Sequence, residues 1–415
     1  MRNWSGHVEF SSTDLVEPTS LTELQSLVSR SPRVRALGTA HSFNDIADTD
    51  GLHVGLSRLP QDVIIDEEAR LAWLPAGMRY GTAARILDDS GWAMHNMASL
   101  GHISMAGTVA TGTHGSGDHN QTLSAMVTAL EQVTVDGDVE IVDREADPGR
   151  LVGTVVGLGC LGIVTRVRVR IEPAFTVRQY VFDDVPHERV EAGFDEVFSA
   201  AYSVSFFTTW APSRIGQVWM KRREGVEAPW TQDVWMGGHL AAGKRHPLPG
   251  HDPRHCTEQL GEPGRWHDRL PHFTLDFTPS SGDELQTEYL VPRDHAVDAL
   301  RELSGLAHRI HPLLHVSEVR TMAADELWLS GAYGRPTVGV HFTWRKTSQV
   351  LPLLPDLDAL FAAHGGRPHW GKLFHAVNPL PPRYPRFADF AELAHAVDPT
   401  GKFRNRFVED ILATM

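Results

Sequence analysis

The sequence is poor in cysteine and has no hydrophobic run long enough to cross a membrane. Cys160 and Cys256 are its only cysteines, and they lie far apart without a CxxC spacing. This excludes a disulfide framework and a zinc knuckle and favours a reducing compartment, so we expect a cytoplasmic protein. The apolar stretch 151–164 is shorter than the roughly 20 residues of a spanning helix, and residues 1–7 lack the apolar core of a secretory signal.

Basic residues are also scarce relative to acidic ones. The chain has 38 lysines and arginines against 52 aspartates and glutamates, for a net charge of -14. A negative protein repels nucleic acid and anionic lipid, so we expect neither a nucleic-acid nor a membrane partner. The sequence has no HExxH motif and no closely spaced set of His, Asp and Glu, so we expect no metal site despite its 23 histidines.

What is present is a globular composition of enzyme size. The 415 residues are 41% hydrophobic and 22% charged, which predicts two or three domains with buried cores. Ser20 and Glu23 have capping-box spacing ahead of an amphipathic helix. Residues 133–141 form a hairpin pattern around an Asp-Gly turn, and residues 165–172 alternate as a strand. Residues 1–175 are therefore predicted to be α+β with mixed or antiparallel sheets.

Beyond residue 175 the pattern changes. Residues 224–263 are rich in Gly, Pro and His with little periodicity, which predicts a long surface excursion. Further on, Val316, Glu318 and Arg320 share one face of a predicted strand, and residues 338–344 alternate between apolar and polar positions. Polar groups are thus predicted to line one side of each of these two strands.

One glycine motif argues against the cofactor site that it superficially suggests. Residues 157–162 read Gly-Leu-Gly-Cys-Leu-Gly, a literal GxGxxG. A Rossmann dinucleotide site needs a helix directly after the glycines, whereas the residues from Ile163 onward alternate as a strand. We interpret these glycines as positions where the backbone approaches a ligand or another strand closely.

Two other stretches of small residues suit a large polar cofactor. Residues 33–44 run from a strand into Gly-Thr-Ala and then His41, and residues 96–117 consist largely of Gly, Ala, Ser, Thr and His without a charge. Unhindered backbone N–H groups can cradle a diphosphate, with the imidazole beside it as base, ligand or covalent anchor. Taken alone, His41 is more often a structural histidine in a strand-to-loop turn, and residues 96–117 also fit a tightly packed turn region.

Several motifs in order resemble one flavoprotein family across essentially the whole chain. Residues 38–44 and 104–115 are similar to the two FAD-binding loops of the vanillyl-alcohol-oxidase family. The segments that resemble its sugar-lactone and alditol oxidase branch are residues 270–273, 278–282, 317–320, 369–372 and 398–405.

The resemblance implies a two-domain α+β fold of the vanillyl-alcohol-oxidase type. The FAD-binding domain is expected at residues 1–175. A substrate-binding cap domain built on an antiparallel sheet is expected at residues 176–375, and a C-terminal segment, 376–415, is expected to return to the FAD domain. We expect the protein to be a monomer.

The resemblance also implies FAD, joined to His41 by an 8α-histidyl bond. A neutral imidazole is a suitable nucleophile towards the flavin 8-methyl group in its electrophilic form. The residues that match cofactor positions of the family are Gly38, Thr39, Ala40, His41, Ser42, Ser99, Ser104, Gly107, Thr111, Gly112, Thr113, His114, Ile163, Val164 and His369.

A small polyol and O2 are the implied reactants. The residues that match substrate positions are Ser99, Glu318, Arg320, Thr343 and Lys372. The implied reaction moves a hydride from C1 of an alditol such as xylitol or sorbitol to flavin N5, giving the aldose and, with O2, H2O2. Arg320 and Lys372 are the expected catalytic residues, because their charge stabilises a developing alkoxide. Lys372 is also a candidate base if burial and Arg320 lower its pKa.

Three other functions fit parts of the same pattern. An aldonolactone oxidase or dehydrogenase, acting on L-gulono- or arabinono-1,4-lactone, shares the Glu-x-Arg and His-Trp-x-Lys patterns. A dehydrogenase that excludes O2 and a catalytically silent flavin-binding protein are the others. By themselves, Glu318 and Arg320 would also fit a surface ion pair on a strand.

Overall fold

The computed structural model describes residues 1–277, 282–375 and 379–413. Of the middle stretch 278–282 that contributes to the family resemblance, residues 278–281 lie outside the described residues. Helices and strands are mixed along the chain, and the larger sheets are antiparallel, so the predicted α+β class is confirmed. No helix in the described ranges is both long and apolar enough to cross a membrane.

The first part of the chain forms a small parallel sheet and a larger antiparallel sheet. Its elements in chain order are β1 (Leu15–Val16), α1 (Leu21–Arg30), β2 (Val34–Leu37), β3 (Leu52–Gly55), β4 (Ile64–Asp66), β5 (Leu71–Pro75), α2 (Tyr80–Asp89), β6 (Trp92–Ala93), α3 (Met105–Ala110), β7 (Val127–Val133), β8 (Val139–Asp143), α4 (Pro148–Thr154), β9 (Ile163–Arg170) and β10 (Glu172–Pro173). The parallel sheet has the order β1-β3-β2, and the antiparallel sheet has the order β4-β5-β9-β7-β8.

Local sequence signals explain where these elements begin and end. Ser20 caps α1 by accepting a hydrogen bond from the backbone N–H of Glu23 at 3.2 Å, and the Glu23 carboxylate reaches back to the N–H of Thr19 at 2.8 Å. The predicted hairpin is formed by β7 and β8, with Gly137 at φ 88° in its turn. The GxGxxG run is followed by the strand β9 and not by a helix, so the argument against a Rossmann site is confirmed.

The second part is built on one large antiparallel sheet. Its elements are β11 (Thr176–Pro186), α5 (His187–Ala192), α6 (Phe194–Phe198), β12 (Ser203–Thr208), β13 (Ile215–Arg223), β14 (Val234–Trp235), β15 (Gly238–Leu240), β16 (Pro263–Arg265), β17 (Glu284–Pro292), α7 (Ala296–Gly305), α8 (Ala307–Ile310), β18 (Leu314–Met322), β19 (Thr337–Arg345), α9 (Leu354–Ala363) and β20 (Arg367–Pro368). The strand order is β14-β15-β11-β13-β12-β18-β19-β17-β20, with β16 paired to β11.

The two faces of this sheet differ in polarity. Side chains alternate across a strand, so Phe342 and Trp344 of β19 pack into a core with Leu300 of α7 and Phe361 of α9. The intervening Thr343 points the other way and lines a cavity. The predicted alternation in β18 and β19 is therefore confirmed, and it places polar groups where the sheet meets the first part of the chain.

Residues 224–263 lie mostly at the surface, as predicted, but parts of the segment also pack inward. They contain the short strands β14 and β15, a 3-10 helix at Pro253–His255 and the start of β16, and Ala241 and Cys256 are buried. His246 and His255 line the cavity. The low periodicity of the sequence predicted that the segment has no long helix or strand. It did not indicate that the segment would contribute to the wall of the cavity.

The C-terminal residues contact the first part of the chain. Helices α10 (Phe387–Val397) and α11 (Arg406–Leu412) bury Phe390 and Val408 in the same core as α2. The backbone N–H of Val34 donates to the carbonyl of Lys402 at 3.0 Å. The bounds 1–175, 176–375 and 376–415 themselves stay a prediction.

Candidate active site

A cavity of about 660 Å³ lies between the small-residue loops of the first part and the polar face of the large sheet. Most of the predicted site residues share this cavity although they are far apart in the sequence. Those that line it are Gly38, Thr39, Ala40, His41, Ser42, Ser99, Ser104, Gly107, Thr111, Thr113, His114, Glu318, Arg320, Thr343, His369 and Lys372.

Three predicted cofactor residues do not line this cavity. Ile163 is buried in a small apolar core with Leu24 and Val28, and Val164 packs against that core. Gly112 adopts a φ of 67° just after α3, where the chain turns. These three residues are not part of the cavity lining, and their contact with FAD stays a prediction.

The loop after β2 presents backbone N–H groups to the cavity wall. Ala40 has a φ of 52°, in the left-handed region, and this reverses the chain direction beside His41. Within the described ranges, no protein acceptor pairs with the N–H groups of residues 39–42. Successive unpaired N–H groups form a nest for an anion.

The second loop lies against the first. A Cβ atom added at Gly38 would come within 2.3 Å of Ser104 Oγ, and one added at Gly107 within 2.9 Å of the same atom. Gly38 therefore allows the two loops to approach closely, and Gly107 leaves room for the Ser104 side chain within the second loop. The result is a cradle of backbone and hydroxyl groups formed by two segments from different parts of the chain.

His41 lies at the end of this cradle with one free ring nitrogen. Its Nδ1 is 3.2 Å from His102 Nε2, and its ring lies 4.4 Å from that of Trp4, measured between centroids. Its Nε2 is buried and has no hydrogen-bond partner among the described residues. Burial, with Lys372 and His102, holds the pKa of His41 well below its usual range, so the imidazole is neutral and nucleophilic.

The charged groups of the sheet form a row across three strands. Glu318 in β18 is opposite His341 in β19, which is opposite Glu288 in β17. Arg320, two residues along β18, places Nη2 at 2.8 Å from Glu288 Oε1 and Nε at 3.6 Å from Glu318 Oε1. Its Nη1 also donates to Ser99 Oγ at 3.4 Å. All four charged or imidazole side chains are buried, which excludes the surface ion pair.

Glu288 is the most heavily paired carboxylate of the site. His114 Nε2 lies 3.1 Å from its Oε1, the same oxygen that Arg320 contacts. Although burial raises its pKa, His114 and Arg320 together hold the pKa of Glu288 well below its usual range. Ligand atoms of His114, Glu288 and His369 lie within 4.8 Å of one another, a spacing that a metal could use. Because the guanidinium already neutralises Glu288, the cluster is satisfied as an ion pair.

Lys372 faces the same cavity from the turn that follows β20. Its Nζ donates to Gln286 Oε1 and lies 5.1 Å from the centre of the Phe43 ring. Burial lowers its pKa to about 8, with Glu288 opposing this shift and Arg320 adding to it. His341, 3.2 Å from the same Gln286 oxygen, has a pKa of about 3, chiefly because of burial. A buried lysine that loses its proton near pH 8 is suited to act as a base.

The residues that β17 contributes were not predicted from the sequence. Gln286 and Glu288 occupy alternate positions in a strand that is otherwise buried, and both line the cavity. The signal that could have found them is the same period-two polarity that was recognised at Glu318 and Arg320.

Comparison with known proteins agrees with this arrangement. A sequence model described as "FAD binding domain" matches residues 14–143, and one described as "D-arabinono-1,4-lactone oxidase" matches residues 283–411. Alditol oxidase from Streptomyces sp. (strain IKD472 / FERM P-14339) is 45% identical over 416 residues, covering 99% of this chain and 98% of that protein. L-gulono-1,4-lactone dehydrogenase from Mycobacterium tuberculosis (strain ATCC 25618 / H37Rv) is 27% identical, with 99% and 98% covered.

The chain belongs to the sugar-lactone and alditol oxidase branch of the vanillyl-alcohol-oxidase family. Members of this branch are FAD-dependent oxidoreductases, and FAD is the cofactor of this protein. The crystal structure of cholesterol oxidase from B. sterolicum shares the fold, with a TM-score of 0.78, 14% identity and coverage of 99% of this chain and 96% of that one.

The residues of this family member fit FAD on their own chemistry. The cradle offers unpaired N–H groups for a diphosphate. Glycines keep its two segments in close contact, and His41 Nε2 is a buried ring nitrogen without a protein partner. The 660 Å³ cavity continues from this cradle to the charged row of the sheet, so a single space joins cofactor and substrate groups.

Proposed function

We propose that this protein is an alditol oxidase, which converts the terminal primary alcohol of xylitol, sorbitol or a similar polyol into the aldose and reduces O2 to H2O2. The observation that carries the proposal is the convergence of Glu318, Arg320, Thr343 and Lys372 on one cavity beside the FAD cradle. The 45% identity to a Streptomyces alditol oxidase over almost the full length supports the choice of substrate.

The polar set suits a substrate with a hydroxyl on every carbon. The Glu318 carboxylate accepts hydrogen bonds, Arg320 donates them, and the Thr343 hydroxyl does both. Each of these side chains is at least nine-tenths buried. An analogue that lacks a hydroxyl therefore leaves a buried polar group unpaired, and this disfavours its binding.

Lys372 and Arg320 have separate roles in the oxidation: Lys372 takes the proton of the alcohol, and Arg320 stabilises the negative charge that develops on its oxygen. Bound FAD supplies the acceptor for the hydride of the alcohol carbon. Lys372, neutral above its pKa of about 8, takes the proton of the reacting hydroxyl at Nζ. The guanidinium of Arg320 stays protonated and stabilises the negative charge that develops on the alcohol oxygen.

We also propose that His41 holds the cofactor through an 8α-histidyl bond. Its neutral ring and free Nε2 support this assignment. Protein precipitated with acid should remain yellow and fluorescent, while His41→Ala should release the flavin into the supernatant. Flavin that washes out of the wild-type pellet would show that the bond is absent, even if FAD binds.

The reaction is tested by supplying purified protein with xylitol, sorbitol and L-gulono-1,4-lactone in air and following H2O2. Turnover of the two polyols is expected. The rival function is an aldonolactone oxidase or dehydrogenase, favoured by the lactone-oxidase match over residues 283–411. Turnover of the lactone but of neither polyol would replace the alditol proposal with this rival. Flavin reduction without H2O2 would indicate a dehydrogenase.

We further propose that the enzyme acts as a monomer in the cytoplasm. Both cysteines are free and buried, which suits a reducing compartment. Light scattering coupled to size exclusion should give a mass close to 45.9 kDa, and a doubled mass would contradict the monomer.

A further inference from the structure

Two buried side chains outside the predicted site form a line that ends on Glu318. Lys221 lies in β13 and is 1% exposed, and His272 lies between β16 and β17 and is 5% exposed. Lys221 Nζ is 3.2 Å from His272 Nδ1, and His272 Nε2 is 2.8 Å from Glu318 Oε1. The line thus runs from the interior of the cap sheet to a carboxylate that faces the cavity.

The chemistry of Glu318 fixes the proton position on His272. Although burial raises the pKa of Glu318, Arg320 and His272 hold this pKa below its usual range. A carboxylate can only accept hydrogen bonds, so His272 Nε2 carries the proton and donates to Glu318 Oε1. His272 Nδ1 is then an acceptor, and Lys221 Nζ donates to it; burial lowers the pKa of Lys221 to about 7, and both its ammonium and its amine form can donate this hydrogen bond. The remaining Nζ contacts are the carbonyls of Leu270 and Pro271, the latter at 3.3 Å, and these orient Nζ.

Packing prevents the imidazole from turning away. The rings of Phe207 and Trp219 meet it edge-on at centroid distances of 5.2 Å and 5.5 Å. Within the described ranges, no carboxylate lies at bonding distance from Lys221 Nζ. A buried ammonium without an adjacent counter-ion is costly, and an apolar side chain would fill the space at lower cost. Packing alone therefore does not account for this lysine.

We propose that Lys221 and His272 are positioning residues for substrate binding. Lys221 holds His272 in the Nε2–H tautomer, and His272 fixes Glu318 Oε1, which leaves Oε2 to accept a hydrogen bond from a substrate hydroxyl. The proposal rests on the alditol oxidase function, because that function assigns Glu318 to the polyol. It adds that Lys221 and His272 together select one orientation of the Glu318 carboxylate.

A matched pair of amides separates positioning from packing. Gln at 272 can place its amide nitrogen near the position of the imidazole Nε2, whereas Asn reaches only the position of Nδ1. His272→Gln should keep KM for xylitol within about 3-fold of wild type. His272→Asn should raise it about 10-fold or more, the size expected for losing a hydrogen bond to a charged group, with kcat changed less. Equal KM values for the two variants, at equal flavin content, would overturn the proposal.

A double-substitution cycle tests whether Lys221 acts through Glu318. Lys221→Met should raise KM about 5-fold or more by releasing the imidazole. In a Glu318→Gln background the same substitution should add little, because its target is already lost. If Lys221→Met raises KM by the same factor in the wild-type and Glu318→Gln backgrounds, the lysine acts independently of Glu318.

The tautomer can be read without turnover. In protein labelled with 15N-histidine, the His272 signals are assigned by their absence in His272→Gln, and the shifts of the two nitrogens show which one carries the proton. Protonated Nε2 is expected in wild type, and protonated Nδ1 would overturn the proposal. Wild-type protein that oxidises no polyol but shows the Nε2–H tautomer would instead contradict the function and leave the Lys221–His272 geometry intact.

Discussion

Lys372 is buried near three carboxylates and a guanidinium, and burial together with these charges sets its protonation. Its pKa is lowered to about 8, mainly by burial. A lysine must lose its proton to act as a base, so flavin reduction by xylitol should become faster as pH rises through about 8 and then level off. Anaerobic stopped-flow measurements between pH 6 and 10 would show this rise. The charged groups that act on Lys372 are Glu288, Arg320, Glu284 and Glu318.

Substitution of the base should remove both the rate and its pH dependence. Lys372→Met is expected to slow flavin reduction by about 10²- to 10⁴-fold, the usual contribution of a positioned general base. The remaining rate should not rise near pH 8. Lys244→Met, which removes a lysine paired with Glu258 outside the cavity lining, is the matched control and should keep the wild-type profile. A variant at Lys372 with the full pH-dependent rise would assign the base elsewhere.

Glu288 tunes this base from a distance. Its negative charge favours the ammonium form of Lys372, so it raises the lysine pKa against the effect of burial. Glu288→Gln should therefore move the rise in rate to lower pH. The same stopped-flow series measures the shift, and movement towards higher pH would contradict the assigned sign. The variant keeps hydrogen-bonding capacity towards His114 and Arg320, which limits the structural change.

At the scale of elements, one side chain joins the C-terminal helix to the loop after β2. Asn405 caps α11 by accepting from the N–H of Val408 at 3.0 Å. Its Nδ2 donates to the carbonyls of Asp45 and Asp48, each at 2.8 Å. These carbonyls lie just beyond the loop that carries His41. Asn405 therefore stabilises both the start of α11 and the chain next to the cradle.

Substitutions at Asn405 should separate its two roles. Asn405→Ala loses the cap and leaves buried carbonyls unpaired, which should lower the free energy of unfolding by about 2–4 kcal/mol. Asn405→Ser keeps a capping acceptor and removes the donor to these carbonyls without adding a charge, so it should cost less. Urea unfolding followed by tryptophan fluorescence gives both values. Equal costs for the two variants would mean that the cap contributes nothing.

The sequence predicted the elements whose signals are local. The capping box before α1, the Asp-Gly hairpin and the strand after the GxGxxG run depend on neighbouring residues, and the structure contains all three. Both cradle loops were also recognised, because their small residues are contiguous. Gly112, predicted as a cofactor contact, is in the second loop but is not among the residues that line the cavity, and its contact with FAD stays a prediction.

The interactions that the sequence did not reveal depend on strand pairing and long loops. Glu288 meets Arg320 only because β17 and β18 flank β19 in the sheet, and no spacing along the chain encodes that order. Lys221 meets His272 through the return of the chain after β16. Such contacts are fixed by tertiary packing. The polarity pattern along β18 therefore predicted Glu318 and Arg320 but not the residues from other strands and loops that pair with them.

At the scale of the whole molecule, two effects of acid oppose each other. The net charge of -14 shrinks as pH falls towards the isoelectric point near 5.9, and this relieves repulsion in the folded state. The opposing effect comes from buried histidines, which remain neutral in the folded state. His341 and His369 have pKa values of about 3, and His272 about 4, in each case first because of burial.

The histidines should dominate below pH 6.5. An unfolded histidine takes up a proton near that pH, while these three do not do so in the folded state. The unfolded chain then binds more protons, so stability is present above pH 6.5 and is lost as pH falls, by up to about 1.4 kcal/mol per pH unit for each histidine. Surface repulsion is weakened by salt, whereas burial is not. The urea midpoint of the holoenzyme should therefore fall between pH 7 and pH 5, and more clearly in salt of about 0.5 M, where the Debye length is only about 4 Å. A midpoint that rises over this interval would show that net charge, and not the neutral histidines around the cavity, governs the stability of the protein in acid.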